Sequence, residues 1–68
     1  MNFGDNVRAT RERLGISQSE ISKAVGVAQA TFAQYETGAK APNVYVAVKI
    51  ARLLGTTVEQ LATPGSMN

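Results

Sequence analysis

The sequence contains no cysteine and no histidine. Without cysteine, neither a disulfide nor a thiolate metal site can reinforce the fold. Without histidine, the usual imidazole zinc ligand and the commonest general base are missing too. The five acidic residues, Asp5, Glu12, Glu20, Glu36 and Glu59, form no evident acid–base pair, and there is no glycine-rich loop to cradle a phosphate. No catalytic residue, metal ligand or cofactor is expected, and an enzyme is the least supported class. No apolar run approaches the roughly 20 residues that span a bilayer, and no signal-peptide pattern opens the chain. A membrane partner is not expected, and a cytoplasmic location is. A basic tract is also missing. The net charge is only +2, with the cations Arg8, Arg11, Arg13, Lys23, Lys40, Lys49 and Arg52 scattered, so charge alone argues only weakly for nucleic acid. Sixty-eight residues allow one domain, which buries only about 60% of its unfolded surface and has a correspondingly small core.

What is present is organised around Ser17 to Thr37, SQSEISKAVGVAQATFAQYET. Ser17 can cap a helix and Glu20, three residues on, can reach back, which makes a capping box. Ile21 and Val25 then fall on one face, with small Ser22 where another helix can cross closely. Gly26 follows the last apolar residue, where a left-handed backbone ends a helix at least cost, and Val27 can pack back under the turn. A second helix places Ala28, Phe32 and Tyr35 on one side and Gln29, Ala30, Ala33 and Gln34 on the other. Two short helices across a glycine turn read as a helix-turn-helix.

The flanking stretches are helical as well. Asn2 is a cap for a first helix over about residues 3 to 13, with Asp5 favouring its positive end. Phe3, Val7, Thr10 and Leu14 repeat as a buried stripe, and Gly15 terminates it. After the loop GAKAP at residues 38 to 42, Asn43 can cap a fourth helix reaching Leu54. VYVAV at residues 44 to 48 is β-branched enough to pass for a strand. Its continuity with KIARLLG favours helix, because Val44, Ala47, Ile50, Ala51 and Leu54 keep one face. Thr57 and Gln60 predict a second capping box, opening a short fifth helix anchored by Val58 and Leu61 and stopped by Pro64. The expectation is an all-α, five-helix domain over residues 1 to 63, with residues 64 to 68 a flexible tail.

With the helices placed, the chain resembles the lambda-repressor-like DNA-binding domains, the Xre and Cro/CI family. The resemblance covers about residues 3 to 62. It rests on Arg11, Gly15-Ile16-Ser17-Gln18, Glu20, Val25-Gly26-Val27 and Tyr35-Glu36-x-Gly38, followed by Pro42, Lys49-Ile50-Ala51, Leu54-Gly55 and Val58-x-x-Leu61. It implies that the third helix enters the major groove of double-stranded DNA, with Gln29, Ala30, Ala33 and Gln34 as the base-reading surface. Glutamine matches N6 and N7 of adenine, and alanine is small enough to meet a thymine methyl. It also implies that Gln18 meets a phosphate, with Thr31, Thr37, Lys40 and Asn43 as further phosphate candidates. Such contacts set register and not sequence. Arg11 and Glu36 are expected to pair as a structural clamp on the reading helix.

Two departures from the family pattern follow. Ala28 stands where Ser or Thr commonly caps the reading helix, a loss of about 1 kcal/mol, and the reading face has no arginine or lysine for guanine. Both predict modest affinity for a single copy, with specificity regained by a homodimer on DNA. Tyr45, Val46, Val48 and Leu53 of the fourth helix are candidates for the dimer or a partner surface. The expected function is a transcriptional regulator, most simply a repressor. The alternative is an antitoxin or other interaction module whose main partner is a protein.

Overall fold

The computed structural model describes residues 2–63. The expected tail at residues 64–68 lies outside the described residues. Five helices follow in order: α1 Phe3–Arg13, α2 Gln18–Val25, α3 Gln29–Thr37, α4 Val44–Leu53 and α5 Val58–Ala62. No strand occurs among the described residues. VYVAV is helical because the Asn43 side chain accepts the Val46 amide at 2.9 Å and starts the helix beneath it. A capped start and a continuous apolar face outweigh the β-preference of three valines.

The caps fall where the residue types place them. Asn2 accepts the Asp5 amide at 2.9 Å, and the Asp5 carboxylate returns to the Asn2 amide at 3.5 Å. Ser17 and Glu20 form the same reciprocal pair at 3.0 and 2.9 Å. At α5 only half of the expected box is seen: Thr57 Oγ1 accepts the Gln60 backbone amide at 3.1 Å, while the Gln60 side-chain Oε1 accepts the Thr56 hydroxyl at 2.7 Å. The Gln60 side chain is thereby turned toward Thr56 and not back to the Thr57 amide. Ala28 caps α3 with no side-chain bond.

The Ser17 box has a pH signature. The Ser17 backbone amide, and then its hydroxyl, hold the exposed Glu20 carboxyl below its ordinary range against a smaller opposing effect of burial. A carboxyl whose folded value is depressed contributes stability above its ordinary value and loses it as pH falls through the folded one. The Ser17 amide shift should therefore titrate below the usual glutamate range in an NMR pH series. The titration should vanish in Glu20→Gln; a Ser17 shift insensitive to acid would disprove the coupling.

The core is assembled from Val7, Ile21, Val25, Phe32, Tyr35, Ile50, Ala51, Leu54 and Leu61, with Phe3, Ile16, Val27, Val46 and Val58 packed against it. Phe32 and Tyr35 meet edge to face, their centroids 6.2 Å apart. Three expected placements are corrected. Leu14 is 48% exposed, because α1 ends there and the turn through Gly15 brings Ile16 inward instead. Val44 is 65% exposed, because it is the first residue of α4 and projects beyond the core. Ala28 is exposed, since the cap position stands outside the helix. Val46, expected to be partly exposed, is half-buried against the core.

Candidate nucleic-acid interface

The helix-turn-helix is closed by backbone bonds around Gly26. Its amide donates to Ser22 O at 2.9 Å, the Val27 amide donates to the same carbonyl at 3.0 Å, and φ is +81°. Ser22 is buried, with its hydroxyl donating to Ser19 O at 3.1 Å. The crossing is therefore lined by a small side chain whose polar atom is already satisfied.

α3 is held to the other helices through its last turn. Arg11 of α1 donates from Nε to Glu36 Oε2 at 2.6 Å and from Nη2 to Glu36 Oε1 at 3.2 Å. A third donor, Nη1, reaches Ile16 O at 2.9 Å. The two side chains are only 10% and 3% exposed. The hydrogen bond to Glu36, more than the nearby negative charge, raises the Arg11 pKa, and burial opposes it. Gln18 of α2 adds a third donor to the same carboxylate, Nε2 to Oε1 at 2.9 Å. Glu36 thus joins α1, α2 and α3 at one point. Because paired guanidinium and carboxylate forks are strong and directional, this point fixes the orientation of α3.

Gly4 fixes the distance. A Cβ placed on it would lie 2.4 Å from Tyr35 O and 2.5 Å from Glu36 O, so α1 crosses the end of α3 at a separation that only hydrogen atoms permit. Asn6, fully buried, donates to Leu61 O at 2.5 Å and more weakly to Thr63 O at 3.4 Å, tying α1 to α5. Its Oδ1 is buried without a hydrogen bond. Neither residue was singled out from the sequence. Asn6 carried a signal, since it lies beside Val7 on the spacing of Phe3 and Thr10. Gly4 carried none.

With its inner side anchored, α3 turns the other side outward. Gln29, Ala30 and Gln34 are exposed and Ala33 is half-buried. Neither glutamine side chain has a hydrogen bond among the described residues. They are separated by about 7.5 Å along the axis, roughly two base-pair steps of duplex DNA at 3.4 Å each. The only charged residue on α3 is Glu36, buried and neutralised, so the outward face is uncharged. Around it, Lys40 is exposed and Thr31 half-buried. Thr37 donates its hydroxyl to Gln34 O at 3.2 Å and accepts the Ala39 amide at 3.4 Å. The Asn43 oxygen is committed to the α4 cap. Gln18, expected at a phosphate, stands half-buried on Glu36. On α4, Tyr45 is 78%, Leu53 46% and Val48 36% exposed. Among the described residues, no helix is long and apolar enough to cross a membrane.

The comparisons agree with this geometry. The Helix-turn-helix family model matches residues 7–61. The cryptic phage CTXphi transcriptional repressor RstR of Vibrio cholerae is 26% identical over 66 residues; the match takes in 97% of this chain but spans only 60% of RstR. An uncharacterized HTH-type transcriptional regulator of Methanothermobacter thermautotrophicus is 39% identical over 49 residues, 72% of this chain and 71% of its own. The P22 c2 repressor, solved in complex with a synthetic operator, superposes with a TM-score of 0.87 at 27% identity, covering 93% of this chain and 96% of that one. The chain belongs to the helix-turn-helix family, with α2 and α3 as the two helices on either side of the turn at Gly26.

Proposed function

We propose that the chain is a sequence-specific transcriptional regulator, most simply a repressor, that reads operator half-sites through α3 as a homodimer. The observation that carries the reading is an uncharged α3 face with two uncommitted glutamines, held on the scaffold by a buried ion pair at its inner end. Gln29 is assigned to an adenine edge and Gln34 to a second base edge or a bridging water, with Ala30 and Ala33 against thymine methyls. Lys40 and the helix-flanking groups Gln18, Thr31, Thr37 and Asn43 are assigned to phosphates, where Lys40 alone brings charge. Gln18 can serve there through its second amide hydrogen while remaining on Glu36, since its amide nitrogen has two donors. A face without arginine or lysine reads few bases strongly, so one copy discriminates weakly. Two copies on half-sites about 34 Å apart multiply that discrimination.

The test is selection of binding sites from a randomised duplex pool at fixed moderate salt, with wild type and Gln29→Ala in parallel. The wild type should recover an inverted repeat with half-site centres about one helical turn apart. The variant should lose preference at one symmetric base pair, equivalent to about 1–3 kcal/mol of discrimination. An unchanged motif removes Gln29 from the reading surface. No enrichment by the wild type overturns operator reading and favours the alternative, an antitoxin-like module. That second reading is supported by the exposed apolar residues of α4.

A further inference from the structure

The outer face of α4 has an organisation that DNA reading does not use. Tyr45, Val48, Lys49, Arg52 and Leu53 are all exposed and follow one another at the three- and four-residue steps that form a single stripe. The two cations run along its middle, with Val48 on one flank and Leu53 on the other. α4 contains no carboxylate, and neither Lys49 nor Arg52 has an ion pair among the described residues. Beside the Val48 flank, an open apolar groove is lined by Phe3, Tyr35, Pro42, Val44, Ala47 and Val58, among others.

We infer that this face docks a helix of a protein partner, one whose contacting face carries Asp and Glu along its middle with apolar residues on either side. Its apolar side chains cover Tyr45, Val48 and Leu53 and enter the groove beside Val44, and its carboxylates meet Lys49 and Arg52. A second copy of this chain does not fit the same face. A two-fold pair of α4 helices would bring four cations into one contact with no α4 carboxylate to neutralise them. A phosphate backbone would suit the cations but leave Tyr45 and Val44, 78% and 65% exposed, in water. The inference does not rest on the base-reading assignment.

The probe is a displayed library of helical peptides in which one face is varied over Leu, Ile, Phe, Tyr, Asp, Glu, Lys and Arg. It is selected on the wild-type chain and counter-selected on Lys49→Glu/Arg52→Glu. Both changes are on exposed residues, and circular dichroism verifies that the variant is folded. Peptides pairing apolar residues with Asp or Glu should enrich. Their affinity should fall about tenfold or more on the double reversal, and changing their Asp and Glu to Lys should restore binding to the variant. Amide shifts should move on α4 and around the groove. Absence of enrichment, enrichment without acidic bias, or binding indifferent to the reversal overturns the proposal. Displacement of the peptide by duplex DNA, or dissociation of a dimer by the peptide, also overturns it, by giving the face to DNA or to a second copy.

Discussion

Glu36→Ala is expected to cost about 3–5 kcal/mol of folding stability. Removing one partner of a buried ion pair strands the other charge in a poorly solvated site, and here the stranded group is an Arg11 side chain only 10% exposed. The loss includes both guanidinium bonds and the Gln18 bond, so α1, α2 and α3 lose their common anchor together. Domains are stable by only about 5–15 kcal/mol, and one this small stands toward the low end. A thermal melt should show a fall of roughly 15–30 °C. Arg11→Met/Glu36→Leu should recover much of it, because apolar replacement of both charges is often neutral or better, although Gln18 Nε2 and Ile16 O then lose a partner. A melting temperature unchanged by Glu36→Ala would show that the pair does not clamp α3. DNA affinity of the double variant, measured where it is folded, separates the two contributions of the pair: stability returns with apolar packing, whereas the orientation of α3 depends on the lost fork geometry.

Gly4→Ala should be almost as damaging, by a different route. The added methyl meets two backbone carbonyls at 2.4 and 2.5 Å, and helix backbone cannot rotate away as a side-chain tip can. Overpacking of this kind costs about 1–3 kcal/mol and sometimes more. We expect about 3, because separating α1 from α3 also stretches the Arg11–Glu36 pair. Gly15→Ala is the informative comparison. Nothing lies within 4 Å of a Cβ there, but φ is +73°, so only backbone strain of about 1–2 kcal/mol opposes it. Urea denaturation of both variants should rank Gly4→Ala as the more destabilised; equal stability of Gly4→Ala and wild type would mean that α1 and α3 do not approach this closely.

These two residues also mark how far the sequence could be read. Asn2, Ser17, Asn43 and Thr57 act on amides three residues ahead, and the turn glycines act on carbonyls of the preceding turn. Such bonds close within a few residues, so residue type and spacing alone placed all five helices. The same local logic identified the outward glutamines, since one side of α3 is apolar and the other is not. It misjudged Leu14, Val44 and Ala28, all at helix ends, where periodicity continues on paper after the chain has turned away.

The pairing of Arg11 with Glu36 was suggested only by family resemblance, because nothing local relates residues 25 apart. That Gln18 shares the same carboxylate, that Asn6 reaches Leu61, and that Gly4 lies against the carbonyls of Tyr35 and Glu36 were decided by how the helices cross. The sequence by itself determined the helices, their caps and the outward side of α3. The tertiary structure decided how that side is aimed, because orientation is set by contacts between residues far apart in the chain, and such contacts exist only once the helices have packed.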